Sequence, residues 1–206
     1  MIAADLLAHG PLPPGAIGPR PTSLHFAELW CARTGQTYVR AMSQGVYQLH
    51  QVIPVTGVPG ELRPATAADR EILVAMSIAF NAEAESVVNA ARVARWADQR
   101  LNSPTSGLHL WWHDGHPVAM VGYAGPTPGG IRIGPVYTPP EHRRRGYASA
   151  ATAALSQHLL SSGHPSCFLF TDLANPISNH IYQAIGYRPV CDMEEYHFSA
   201  IAESPQ

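Results

Sequence analysis

Residues 136–149 read Val-Tyr-Thr-Pro-Pro-Glu-His-Arg-Arg-Arg-Gly-Tyr-Ala-Ser. An apolar, strand-like run stops at a proline pair, crosses a short basic loop and enters an alanine-rich helix through Gly146. A helix start presents backbone N–H groups that have no acceptor within the helix, and its dipole favours negative charge. Arginines beside it complete a receptor for a phosphate-like anion. Here Arg143, Arg144 and Arg145 bring the charge, and Gly146, Tyr147, Ala148 and Ser149 bring the N–H groups. Gly146 has no Cβ, which allows a close approach of the backbone to a bound group. A solvated arginine cluster ahead of an ordinary helix has the same composition. Its place after a strand and before a long helix, with a second polar motif downstream, favours the anion site.

That second motif is Asn175-Pro176-Ile177-Ser178-Asn179-His180-Ile181-Tyr182-Gln183-Ala184-Ile185-Gly186-Tyr187. Asn175 suits the N-cap, Pro176 the first helical position and Gly186 the C-terminal stop. Ser178, Asn179 and Tyr182 then share one helical face, at spacings of three or four residues. The plain alternative is a capped helix with a half-buried tyrosine.

Between the motifs and their supports lies the pair Gly134-Pro135, inside a strand-like run. Proline has no N–H and glycine packs nothing, so this strand cannot pair fully with a neighbour. It is expected to form an edge, a bulge, or a strand that splays from the one near residues 168–171.

The spacing Arg143-x-x-Gly146-x-Ala148 resembles the pyrophosphate-binding loop of the GNAT superfamily of acyl-CoA-dependent N-acyltransferases. The run from Asn175 to Tyr187 resembles the second motif of that family, and the resemblance extends over residues 61–198. It implies an α/β fold of mixed type: a mostly antiparallel central sheet, helices on both faces, and a split between the two central strands. It implies acetyl-CoA as cosubstrate, with the pantetheine arm entering the split. Val136, Tyr137 and Thr138 would then meet the arm, residues Arg143 to Ser149 the phosphates, Asn175, Ser178 and Asn179 the arm again, and Tyr182 the sulfur. The reaction implied is direct attack of a primary amine, from a small molecule or a peptide, on the thioester in a ternary complex.

Aminolysis needs a neutral amine, a donor for the developing oxyanion and an acid for the leaving thiolate. The Tyr182 hydroxyl suits the acid, and a backbone N–H near Val136 or Tyr137 suits the oxyanion. Some family members carry a glutamate on the strand before the phosphate loop. Residues 131–137 contain no carboxylate. Glu83 and Glu85, between two predicted helices, are therefore the candidate bases, with Glu141 and Glu194 behind them. Acidic residues there favour a cationic amine. The missing strand carboxylate leaves open a second class, a catalytically idle acyl-CoA-binding module. A structural partner without cofactor is a third.

Composition narrows the partners. The formal net charge is −2 over 206 residues, so no broad basic surface exists for nucleic acid. All basic residues are arginine; lysine is absent. Cys31, Cys167 and Cys191 are far apart and show no metal spacing, which reads as buried thiols in a reducing compartment. His113 and His116 flank Asp114-Gly115 and read as the ends of a hairpin rather than a metal site. No signal peptide or membrane-spanning run is evident, so a cytoplasmic protein is expected.

The elements that must position these residues follow from periodicity. Residues 10–22 are rich in Gly and Pro and read as a linker, 24–34 as a helix, 36–53 as extended, and 54–60 as a second linker. Residues 1–58 thus form a small N-terminal segment, and 59–206 the catalytic domain. Within the latter come a strand at 61–66, helices to about residue 80 and over 83–101, and strands at 108–112, 117–123 and 130–137. A helix over 145–161, a strand at 167–171, a helix over 175–185 and a strand at 194–198 complete the order. Phe26, Trp30, Tyr38 and Tyr47 are read as an exposed aromatic set, marking a homodimer surface or a lid over the acceptor pocket.

Overall fold

A computed structural model of the chain describes residues 2–84 and 88–200. In chain order the elements are α1 (Ile2–His9), β1 (Gly15–Pro19), α2 (Arg20–Thr34), β2 (Thr37–Leu49) and β3 (Glu61–Pro64). There follow α3 (Arg70–Ala84), α4 (Ala90–Leu101), β4 (Gly107–His113), β5 (His116–Thr127) and β6 (Gly130–Tyr137). The last are α5 (Tyr147–Ser161), β7 (Cys167–Asp172), α6 (Pro176–Ala184) and β8 (Arg188–Ser199). The fold is mixed α/β with mostly antiparallel strands. The chain forms two compact units: Met1–Tyr47 with Phe170–Asn179 and Pro189–Gln206, and Gln48–Leu169 with His180–Arg188.

The first unit has the strand order β1-β8-β2-β7, contributed by the C-terminal part of β7. β1 lies antiparallel to β8, from Gly15 opposite His197 to Pro19 opposite Met193. The expected linker at 10–22 is therefore a strand and a helix start. Pro21 stands in the first turn of α2, where its missing N–H costs nothing, and β1 is extended because β8 supplies its ladder. The aromatic set is not a surface. Trp30 is fully buried and Tyr47 nearly so. Phe26 stacks on Trp30 with ring centroids 5.9 Å apart, Phe198 lies 6.1 Å from Trp30, and Tyr38 meets Tyr196 edge-on at 5.4 Å. These rings fill the unit's own interior, which corrects their expected exposure. Cys191, on β8, is exposed and so departs from the expectation of buried thiols.

The second unit has the order β7-β6-β5-β4-β3, with β7 represented by its N-terminal part. Strands β3 to β6 are antiparallel neighbours, whereas β6 and β7 are parallel. The β4–β5 turn has φ of 49° at Asp114 and 76° at Gly115. Two left-handed residues make the two-residue hairpin turn that matches strand twist, with His113 opposite His116. β5 buries Val118, Ala119, Met120 and Val121 in succession, the mark of a strand covered on both faces. On one face Leu108, Leu110, Met120 and Tyr137 pack with Leu73 and Met76 of α3. On the other, His109 lies beside His158 and His113 beside Tyr147, both partners on α5. Helices thus cover both faces of this sheet.

Helix boundaries follow local chemistry. The Thr66 N–H donates to Asp69 Oδ2 at 2.8 Å, closing the turn that leads into α3. Asn89 Oδ1 accepts from the Arg92 N–H at 2.9 Å and caps α4. That cap starts α4 later than the expected helix from residue 83, while α3 runs on to Ala84. Residues 54–60, expected as a linker, are pinned: the Trp111 indole donates to the Pro59 carbonyl at 3.0 Å.

Replacing fully buried Leu110 by alanine should lower the unfolding free energy by about 2–5 kcal/mol. Ile177→Ala, at a side chain 73% exposed, should change it by less than about 0.5 kcal/mol. Urea titrations of the two variants measure both.

Candidate active site

The second unit holds the loop that the sequence marks as an anion receptor. After β6 the chain makes one 3-10 turn at Pro140–His142 and reaches Arg143 in extended conformation. Arg144 then has φ of 60° and Gly146 φ of 82°. The first helical bond of α5 runs from the Ala150 N–H to the Gly146 carbonyl at 2.9 Å. The N–H groups of Tyr147, Ala148 and Ser149 therefore precede any acceptor within the helix, and no side chain caps them. Gly146 is also required by its local surroundings. A Cβ there would come 2.8 Å from Val58 Cγ2, so the left-handed backbone and the neighbouring valine both demand glycine.

The three arginines differ. All are exposed. Arg143 is committed: its Nε donates to the Thr138 carbonyl at 2.9 Å, its Nη2 bonds Glu83 Oε1, and its guanidinium lies 5.8 Å from the Tyr137 ring centre. No side-chain partner is recorded for Arg144 or Arg145 among the described residues. Two buried polar atoms in the same loop, Thr138 Oγ1 and His142 Nδ1, also lack a partner among the described residues. Free N–H groups, uncommitted guanidiniums and orphaned buried acceptors and donors in one loop fit a phosphate-bearing group.

β6 leads into this loop with an irregularity at the predicted place. Val121 pairs with Val136 and Tyr123 with Ile133, so β6 spends one residue more than β5 across Gly134-Pro135. This is a bulge, the form an interior proline in a paired strand takes. The parallel pairing with β7 joins Ile131 to Cys167 and Arg132 to Phe168, ahead of the bulge in the chain. A Cβ on Gly134 would meet nothing within 4 Å, so the strand is open there.

Glu83, at the end of α3, accepts from the Tyr137 hydroxyl at 3.3 Å as well as from Arg143. Burial and the adjacent Glu83 charge hold the Tyr137 phenol above its ordinary pKa. The structure thus brings together Glu83, Tyr137, Thr138 and Arg143. Glu85 lies outside the described residues. Glu141 is exposed, and Glu194 belongs to the first unit. There its buried carboxylate bonds the Tyr196 hydroxyl and has Arg20 and Arg40 each at 3.3 Å. These bonds lower its pKa, so it holds β8 rather than collecting protons.

α6 carries the second motif. Asn175 Oδ1 accepts from the Ser178 N–H at 3.1 Å, the expected N-cap. Asn179 Nδ2 donates to the Asp172 carbonyl at 3.2 Å, while its buried Oδ1 has no recorded partner among the described residues. Asn175, Ser178 and Asn179 belong to the first unit and Tyr182 to the second. Tyr182 is partly buried, and desolvation pushes its pKa up to about 12. Its ring meets Tyr187 edge-on at 6.1 Å. Tyr187 is fully buried and its hydroxyl lies 2.9 Å from Ser156 Oγ. Tyr187 closes the second motif but had no role assigned from the sequence, and Ser156 was not singled out. Nor was Val58.

The acetyltransferase (GNAT) family model matches residues 73–187, more than half of the chain. The chain belongs to the GNAT acetyltransferase family. Solved structures agree on the fold. A GCN5-related N-acetyltransferase from Kribbella flavida is 20% identical with a TM-score of 0.58, over 78% of this chain and 59% of that one. A GNAT acetyltransferase from Colwellia psychrerythraea is 14% identical with a TM-score of 0.65, over 90% and 65%. AAC(6')-Iy, solved with the bisubstrate analogue CoA-S-monomethyl-acetylneamine, is 15% identical with a TM-score of 0.54, over 63% and 91%. The chain thus spans about 59% of the length of the Kribbella protein. No curated protein matches it in sequence. Among the described residues, no helix is long and apolar enough to cross a membrane.

The raised Tyr182 pKa has a stability signature. The unfolded chain releases this proton near the ordinary value of about 10, the folded chain only near 12. The folded state therefore gains from the proton below pH 10 and loses that gain as pH rises toward 12. Tyr182→Phe should lose less stability than the parent across that window, by at most about 3 kcal/mol. Denaturation at a series of alkaline pH values would show the difference; parallel curves for the two proteins would refute it.

Proposed function

We propose that the protein transfers an acetyl group from acetyl-CoA to a primary amine of a small molecule or peptide, by direct attack in a ternary complex. The observation that carries this reading is the α5 entrance. Uncapped N–H groups, two uncommitted arginines and orphaned Thr138 Oγ1 stand in one loop of a chain whose family is established. Thr138 and the backbone of Tyr147 to Ser149, with Arg144 and Arg145, would hold the phosphates. Val136 and Tyr137, beyond the bulge, would meet the pantetheine amides. The bisubstrate analogue carried by AAC(6')-Iy joins coenzyme A to an amine-bearing substrate, which supports attack without a covalent enzyme intermediate.

In the step itself the amine nitrogen bonds the thioester carbonyl carbon, the carbon–sulfur bond breaks, and the thiolate takes a proton. Tyr182 is the proposed hydrogen-bond donor to that thiolate. Its pKa near 12 keeps the hydroxyl protonated at neutral pH, so it can donate a hydrogen bond that stabilises the departing thiolate while the proton released by the amine passes to the thiolate through solvent. A backbone N–H near Val136 or Tyr137 is the proposed oxyanion donor. Glu83, with Glu85, is the proposed acceptor-side carboxylate that receives the proton from the amine.

One observation favours a second reading, a cofactor-binding module without turnover. The Glu83 carboxylate is held by both Arg143 and Tyr137, and β6 contains no carboxylate of its own. The two readings part in one experiment. Calorimetry should show acetyl-CoA binding to the parent and none to Gly146→Trp, which collides with Val58. Thiol release with a panel of amines should then proceed, slowed at least about tenfold in kcat by Tyr182→Phe with little change in cofactor affinity. Binding without release on any amine would establish the module. No binding by the parent would discard both.

A further inference from the structure

Arg143, Glu83 and Tyr137 form a set that the phosphate-binding role alone does not require. The guanidinium of Arg143 faces the Tyr137 ring at 5.8 Å and bonds the Glu83 carboxylate. The Tyr137 hydroxyl donates to that same carboxylate at 3.3 Å. A carboxylate beside an aromatic face is a general receptor for an organic cation: one part supplies full charge, the other the negative face of a π-system. Phe80 meets Tyr137 edge-on at 6.2 Å and fixes the ring, and the ring itself is buried. The receptor is therefore rigid on the aromatic side. Its present occupant is a side chain of the protein's own phosphate loop.

We infer that Glu83 and Tyr137 form the binding site for the cationic head of the acceptor, and that Arg143 fills this site until the anionic cosubstrate draws the arginine away. The inference rests on the proposed acetyl-CoA site and adds to it the acceptor's class, an ammonium- or guanidinium-bearing molecule, and the group that guards its place. The energies permit the exchange. Arg143 and Glu83 are 43% and 49% exposed, so their pair is worth no more than about 1 kcal/mol. Phosphates carry more charge than one carboxylate and lie at the helix start that Arg143 precedes by four residues. Once Arg143 turns to them, Glu83 is an unpaired carboxylate beside a ring face. Cosubstrate and acceptor then assist each other's binding, because each removes a cost from the other.

The test uses methylguanidinium, which copies the head of Arg143, and methylurea as its neutral counterpart, titrated calorimetrically with and without saturating coenzyme A. Coenzyme A should tighten methylguanidinium binding about tenfold in the parent, within the usual range of coupling between sites. Methylurea should not respond. Glu83→Gln should lose methylguanidinium binding in both states while coenzyme A affinity stays equal or rises, since the competitor for Arg143 is gone. Arg143→Gln should bind methylguanidinium tightly without coenzyme A, and Glu83→Gln added to it should abolish that binding. A weaker coenzyme A affinity in Glu83→Gln would overturn the inference, because Glu83 would then be holding Arg143 for the phosphates. Equal methylguanidinium binding in Arg143→Gln and the double variant would overturn it too. Absence of coenzyme A binding by the parent would instead strike the acetyl-CoA reading, and the Arg143→Gln comparison would still decide the cation site.

Discussion

One constraint governs the second unit: β6 must be an inner strand and yet carry a proline. An inner strand ordinarily satisfies its N–H and C=O groups on both sides, because unpaired buried backbone is expensive. Pro135 removes one donor, and Gly134 with φ of 139° removes the need for a side chain. The chain resolves the conflict with a bulge. β5 pairs with Val136 and Tyr137 on one side of the bulge, and β7 pairs in parallel with Ile131 and Arg132 on the other. Two sequence positions thus set a bulge in the middle of an inner strand.

The loop between β6 and α5 depends on that bulge in turn. β6 ends with Tyr137 buried on the α3 face, and this anchors Thr138 and the turn beyond it. From there the loop has to reverse into α5 without a capping side chain. It does so with two left-handed residues, Arg144 and Gly146. A serine or aspartate at the N-cap would satisfy the helix start by itself and would compete with any ligand anion for the same N–H groups. Glycine leaves them open. The seat of Val58 against Gly146 fixes the loop from below, so a segment of Pro and Gly that looks like a tether is in fact part of the support.

Local chemistry in the sequence made most elements legible. Turn residues marked the β4–β5 hairpin, Asn175 and Pro176 marked α6, and Gly134-Pro135 marked an interrupted strand. What stayed hidden were the features made by tertiary contact. β1 shows no alternation and exists because β8 pairs with it. Phe26 and Trp30 looked like surface aromatics because helical spacing alone does not reveal that Phe198, far along the chain, completes their stack. The Arg143–Glu83 pair spans 60 residues, and either partner alone reads as a solvated charge. The two arginines around Glu194 were equally invisible, and they turn an ordinary-looking acid on β8 into a fixed structural anion.

Charge type also has a consequence for this site. With no lysine in the chain, every cationic contact is made by a guanidinium. A lysine at position 143 would present a compact, strongly hydrated charge that cannot lie flat on Tyr137 while bonding Glu83 and the Thr138 carbonyl together. The planar fork of Arg143 does all three at once. It can also change partners cheaply, because a weakly hydrated ion loses little solvation when it moves from a carboxylate to a phosphate. The same property that lets the arginine occupy the carboxylate's site makes it easy to displace. An acid of α3 that is covered by the first arginine of the loop is kept from other cations for as long as that arginine stays, and an arginine that moves readily to phosphate makes the cover removable.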